Sequence, residues 1–518
     1  MNTPYLLKQI CDSNTINFFR SNTISGGLST SQTAILIAGE IAGSGVLALP
    51  RALARTGWSG VPVIVVLCAV AAFSGQRLGD CWSILETRDP EMRTRKRNPY
   101  SIIVEQALGK KWGVVVSMAI IVTLFGASVV CLLLAAQIIE SLLLTLLPTL
   151  SICTWYLIVV GAMTPLLFFG TPKDFYLLGT IAFVSSVLAC ILYFTQMMSE
   201  VKPFTYRYGI HGFMDFFLAY GTIMFSFGGA STFPTIQNDM ADKSKFGKAL
   251  QYSFGAILIL YLAVAIGGYV AYGERVLPNV ALSMAASPLT LTANIMMAIH
   301  LLAAFVIIIN PVFQEMEELY KVPRDSVGHR MLVRVSIMLA ILFVGESIPR
   351  FYTIMALLGA TSIALLTYIV PSVAYLNLSS QNGGEGQAPA EAAGWKKIVC
   401  YQVIVLAAFG AVAGTISALN AVFNTSLATP CYLRTLFASN KVFIIYMSIN
   451  DRFQCPKTND RHNNIDNQRM SYFTFNLQKL CHNVIDSGVY VYCPQSSIGY
   501  YTFTKVGPGT KSANTIVS

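Results

Sequence analysis

Ala38-Gly39-Glu40-Ile41-Ala42-Gly43-Ser44-Gly45-Val46-Leu47-Ala48-Leu49-Pro50 is the run whose reading decides the fold. It sits within an apolar stretch long enough to cross a bilayer, which takes about 20 residues. Inside it, two glycines flank a serine, and each costs a helix roughly 1 kcal/mol relative to alanine. Unwound backbone at that depth survives only where protein encloses it or a cavity adjoins it. A second run repeats the device: Tyr220-Gly221-Thr222-Ile223-Met224-Phe225-Ser226-Phe227-Gly228-Gly229-Ala230-Ser231-Thr232-Phe233-Pro234. Close packing through small residues would account for either interruption alone. Interruptions that open two successive five-span blocks point instead to the binding site of an inverted-repeat transporter.

The rest of the chain supports a membrane setting. Of its 518 residues, 54% are hydrophobic and 12% are charged, about half the charged share usual in soluble domains. Apolar runs predict spans near Thr33–Leu53, Trp58–Gly79, Trp112–Gln137, Ile152–Phe169, Phe175–Met198, Phe213–Gln237 and Ala249–Tyr272. Four more lie near Leu291–Phe313, Met331–Val344, Tyr352–Leu376 and Ile398–Val422. The expected fold is therefore an all-α polytopic membrane protein of about eleven spans, with spans one to five and six to ten as inverted halves. Lys and Arg cluster in the loops that share a side with the N-terminus, including Arg93-Thr94-Arg95-Lys96-Arg97. That bias places the N-terminus in the cytosol.

Three regions follow. Residues 1–28 form a cytosolic segment without an apolar signal core, and 29–423 form the transmembrane transporter domain. Residues 424–518 form a polar extracytoplasmic tail, expected to be disordered or atypical. In that tail Asn424-Thr425-Ser426 is a glycosylation sequon, and Cys431, Cys455, Cys481 and Cys493 allow two disulfides in three pairings. Cys68, Cys131, Cys153 and Cys190 lie in apolar runs, where a thiol behaves as a small hydrophobe. No Cys/His metal spacing, phosphate loop or nucleophile–base pair is visible, so no enzyme, metal centre or cofactor is expected. The basic residues form no nucleic-acid face, and the expected partners are the lipid bilayer and a small substrate. Oligomeric state is open.

The breaks also suggest the substrate. N–H groups freed around Ala42, Gly43, Ser44 and Gly45 head a new half-helix whose positive end suits a carboxylate. Carbonyls freed near Phe225 and Ser226 suit an ammonium group, and Phe227 and Gly228 beside them are further candidates for the binding site. A zwitterionic amino acid bridges the two. Tyr220, Phe225, Phe227 and His300 are candidates for contacting its side chain.

The runs Gly43–Pro50 and Phe227–Met240, with Ile348-Pro349, Leu358-Gly359-Ala360 and Pro371, resemble the amino acid/auxin permease family over about Ser29–Val422. The resemblance implies an eleven-span fold of the APC superfamily (APC/LeuT type) and secondary amino-acid transport. Glu40, an intramembrane carboxyl beside the first break, is a functional candidate by position and the expected proton carrier. His300 in span eight is the second. In the fold this chain resembles, sodium commonly sits between the span-one break and hydroxyls of span eight, yet His300–Phe313 contains no Ser or Thr. The sodium-coupled branch also tends to carry Asn where Gly39 stands. Proton symport is the expectation. The alternatives are a vesicular-type amino acid/proton exchanger, a sodium-coupled symporter and an amino-acid sensor, in a plasma membrane or an endomembrane.

Overall fold

A computed structural model describes residues 27–89, 98–144, 146–167, 175–201, 212–323, 326–348, 350–381, 394–424, 431, 490–491, 501–505 and 515–517. The first span is two helices, α1 (Thr30–Ile41) and α2 (Ser44–Thr56). A capping box opens α1: Ser29 Oγ accepts the Gln32 N–H, and Gln32 Oε1 accepts the Ser29 N–H. A short 3₁₀ turn leads to α3 (Gly60–Arg88), followed by α4 (Pro99–Leu108) and α5 (Lys110–Leu143). Helix α4 falls in a stretch expected to be loop. Its Tyr100 is buried, and the phenol donates to the Leu366 carbonyl at 2.5 Å.

Next come α6 (Ile152–Leu166) and α7 (Phe175–Ser199). The sixth span is again split, into α8 (Phe213–Ser226) and α9 (Phe233–Asn238). Then follow α10 (Phe246–Tyr272), α11 (Pro288–Leu319) and α12 (Val327–Ser347). The tenth span runs as α13 (Phe351–Leu358), a π-helical stretch Gly359–Ile369 and α14 (Val370–Ser380), and α15 (Gly394–Asn424) completes this unit. Among the described residues, eight helical segments are long and apolar enough to cross a membrane, and α6 and α8 are shorter apolar helices. One face of α15 exposes Tyr401, Val405, Phe409, Val412 and Ile416, as lipid contact requires.

Several expectations change. The ninth span is longer than Met331–Val344: α12 runs Val327–Ser347, and two of its arginines pair with the preceding helix. Arg334, 4% exposed, donates to Glu317 at 2.8 Å and to the Leu167 carbonyl at 2.6 Å, and Arg330 reaches Glu317 at 3.4 Å. The tenth span is not one regular helix. Its π winding begins at Gly359, where a Cβ would strike the Gly221 backbone, so α8 and the tenth span touch main chain to main chain.

Cysteine pairing also differs from expectation. Cys153 is not a free thiol in an apolar run, and Cys431 does not pair within the tail. The two form a disulfide with Cα atoms 5.7 Å apart across a sequence separation of 278. Cys68, Cys81, Cys131, Cys190 and Cys400 are free and buried.

Residues Tyr432–Ser518 form a separate unit, whose described residues make three antiparallel strands, β1 (Tyr490–Val491), β2 (Tyr501–Lys505) and β3 (Thr515–Val517), in that order. The basic run Arg93–Arg97, residues 1–26, most of the tail and the sequon residues Thr425 and Ser426 lie outside the described residues. Asn424 is the last residue of α15.

Candidate functional site

The two breaks meet face to face. In the first, the α1 ladder ends with the Ala42 N–H on the Ala38 carbonyl at 2.8 Å, and the Gly43 N–H turns back to the Ile41 carbonyl at 2.7 Å. The N–H groups of Ser44 and Gly45 then head α2, where no intrahelical acceptor exists for them. In the second, α8 ends at Ser226, and the Gly228 N–H bonds to the Phe225 carbonyl at 2.9 Å. A Cβ added to Gly45 would lie 2.6 Å from both Cβ and Oγ of Ser226, so glycine permits the contact between the breaks. A Cβ on Gly43 would run into His300 Nε2.

Side chains from other helices tie these ends down. The Tyr261 hydroxyl on α10 donates to the Ile41 carbonyl at 2.7 Å and the Ser226 carbonyl at 3.1 Å. Its ring stacks at a tilt on Phe227, with centroids 5.4 Å apart. Ser186 Oγ on α7 donates to the Ala42 carbonyl. The Ser226 hydroxyl turns back onto its own helix, donating to the Thr222 carbonyl at 2.9 Å. Of the carbonyls expected to be free for an ammonium group, that of Phe225 is thus engaged by Gly228 and that of Ser226 by Tyr261.

Glu40, partly buried at the end of α1, accepts the Thr232 hydroxyl at 2.7 Å. Thr232 belongs to the link between α8 and α9, so the carboxyl beside one break bonds to a side-chain hydroxyl on the turn of the other. His300 is fully buried on α11. Its Nδ1 lies 2.8 Å from the Ala182 carbonyl of α7, which makes Nδ1 the protonated nitrogen. The Nε2 lone pair is left facing Gly43, without a hydrogen-bond partner among the described residues. Phe227 is buried at the second break, and Gly228 packs on Ile363 of the π-helical stretch. Tyr220 stands apart from this group: its ring lies against Gly410 of α15, more than a turn before the break.

Polar contacts link the two broken spans on either side of the breaks. At one rim Arg55 of α2 pairs with Asp215 of α8 and stacks 5.5 Å from the Tyr352 ring centroid. Beside it Arg51 donates to the carbonyls of Glu274 at 2.9 Å and Val276 at 3.0 Å. At the opposite rim the Leu28 N–H bonds to the Asp239 carbonyl at 2.8 Å, and the Ala241 N–H bonds to the Leu28 carbonyl at 3.0 Å. There Lys243 reaches Glu86 at 2.5 Å and Asn238 at 2.9 Å, and Trp82 donates to Asn238 at 2.7 Å.

Sequence reasoning named Glu40, His300 and both breaks but missed Tyr261, Ser186 and Thr232, which hold them in place. Among the described residues, Cys153, Glu346 and Cys431 bring potential metal-ligand atoms within 4.8 Å of one another, and the disulfide consumes two of the three.

Known proteins resemble the chain in sequence and in fold. The chain is 26% identical over 233 residues to the amino acid transporter AVT3C of Arabidopsis thaliana, covering 45% of this chain and 50% of that protein. It is 25% identical over 408 residues to AVT1D of the same plant, covering 76% and 70% respectively. The chain thus spans half the length of the first relative and more of the second. Among solved structures, a mutant of the Eremococcus coleocola manganese transporter superposes with a TM-score of 0.52 at 12% identity, over 79% of this chain and 90% of that one. MhsT in complex with L-phenylalanine gives 0.52 at 13% identity, over 76% and 100%. Those two likenesses are of fold. The profile of the transmembrane amino acid transporter protein family matches residues 26–417, and the chain belongs to that family.

Proposed function

We propose that the chain is a proton-coupled amino acid symporter that binds its substrate zwitterion between the two breaks. One observation carries the reading: the N-terminal end of α2 and the C-terminal end of α8 face each other across the Gly45–Ser226 contact. The first offers unpaired N–H groups to a carboxylate. The second offers carbonyls to an ammonium group, the Ser226 carbonyl through the lone pair that its bond to Tyr261 leaves open.

Glu40 is the proton carrier in this reading. A hydroxyl bond to a charged carboxylate is roughly twice as strong as one to a neutral acceptor. Proton uptake therefore weakens the link from Glu40 to Thr232 and lets α1 part from α9. Proton release restores it. His300, with its Nε2 lone pair facing Gly43, is the second group able to take a proton at the break.

Sodium fits less well. A hard cation takes several oxygen ligands, and the carbonyls of Ile41, Ala42 and Ser226 are already bonded to protein hydroxyls. With the N-terminus cytosolic, the Cys153–Cys431 bond falls on the extracytoplasmic side, where disulfides persist.

The test is uptake of a panel of labelled amino acids into proteoliposomes under an imposed pH gradient. An acidic exterior is expected to drive accumulation, and replacing sodium with choline is expected to leave it unchanged. Accumulation driven equally by sodium at matched pH would overturn the proton reading.

A further inference from the structure

Carbonyl oxygens from the two broken spans converge on one donor. Ile41, at the end of α1, and Ser226, at the end of α8, are 185 positions apart in the chain, yet both point at the Tyr261 hydroxyl, at 2.7 and 3.1 Å. A phenol has one hydrogen to give, so the two carbonyls share it. The Ile41 carbonyl also accepts the Gly43 N–H at 2.7 Å, whereas the Ser226 carbonyl, at a helix end, needs a partner from outside its helix. Where two such oxygens converge on one point the alternatives are a bound cation, a trapped water or a tethered donor. Here the donor is tethered. It is fully buried on α10, and its ring is braced by Phe227 of the second break.

From this we infer that Tyr261 is a positioning residue for transport: its single hydroxyl holds the two breaks in one register, as a resident cation would. Ser186 provides the contrast, because among the described residues its hydroxyl donates to the Ala42 carbonyl of the first break and to no carbonyl of the second. The effect on substrate rests on the amino acid site proposed above. The effect on the breaks does not.

Hydrogen–deuterium exchange on the full chain in lipid nanodiscs separates these cases. Tyr261→Phe keeps the ring and its packing and removes the shared hydrogen. Exchange is expected to rise about two- to tenfold at both Ile41–Val46 and Ser226–Gly229, the equilibrium factor of one net hydrogen bond, with α5 unchanged. Ser186→Ala is expected to raise exchange at Ile41–Val46 only. The half-saturation concentration for amino acid uptake is expected to rise by a similar factor in Tyr261→Phe at equal protein per liposome. Unchanged exchange at either break in Tyr261→Phe overturns the inference. So does loosening of both breaks by Ser186→Ala, or an unchanged half-saturation concentration once the breaks have loosened. If the wild-type chain takes up no amino acid, the proposed function fails, and the exchange experiment still decides the role of Tyr261.

Discussion

The carboxyl of Glu40 and the hydroxyl of Thr232 meet at 2.7 Å, joining the end of one broken helix to the turn that follows the other. This hydrogen bond thus crosses between the two halves of the chain at the depth where both unwind.

If Glu40 carries the coupled proton, Glu40→Gln should abolish the pH dependence of uptake. Glutamine keeps an oxygen that can accept from Thr232, so the protein should still reach the membrane in normal amount. Uptake measured from pH 5 to pH 8 should become flat. Pronounced pH dependence in the variant would assign the proton to another group, with His300 the next to test.

Backbone access at the first break depends on Gly43 and Gly45. Gly43→Leu drives a side chain into His300, and Gly45→Val drives one into Ser226. Overfilling of this kind costs typically about 1–3 kcal/mol, and here it also covers the N–H groups proposed to bind carboxylate. Both variants should lose detectable substrate binding in an equilibrium assay on purified protein, and wild-type affinity in either would move the site elsewhere.

Arg55 and Asp215 pair at one rim, but their side chains are 23% and 44% exposed. Solvent screens such a pair, and coupling of about 0.2–1 kcal/mol is expected. A double-mutant cycle with Arg55→Met and Asp215→Asn, read by thermal unfolding in detergent, should fall in that range. A coupling of several kcal/mol would mean the rim is far drier than its exposure indicates.

The Cys153–Cys431 bond predicts a specific pair of linked peptides. Digestion of non-reduced protein should yield them joined, and reduction should release them. Cys153→Ser should leave Cys431 open to a membrane-impermeant maleimide. Finding Cys431 linked to a tail cysteine in the wild-type protein would refute the pairing.

The sequence announced the breaks because glycine inside an apolar run is costly and therefore conspicuous. Glu40 was legible for the same reason, as a charge where charges are expensive. His300 could be named but not oriented, since only the fold shows Nδ1 against Ala182 and Nε2 against Gly43. Tyr261 and Ser186 were invisible: a tyrosine or serine in an apolar helix looks like packing until its carbonyl partner, far away in sequence, is known. The start of the ninth span misled for the opposite reason. The charge of Arg330 marked its boundary, while its partner, Glu317, lies on the preceding helix. The Ser29–Gln32 capping box was present as a pattern, yet the span was read from its apolar run and so began three residues late.

The bond between Cys153 and Cys431 also carries a rule of parity. Two linked sulfurs lie on the same side of a bilayer, so the chain between them must cross it an even number of times. From α6 to α15 the crossings on offer are α6, α7, the α8–α9 pair, α10, α11, α12, the α13–α14 run and α15. Used in full they return the chain to its starting face. If one of them failed to span, the two sulfurs would be stranded in different compartments, so one covalent bond constrains the threading of more than half the protein.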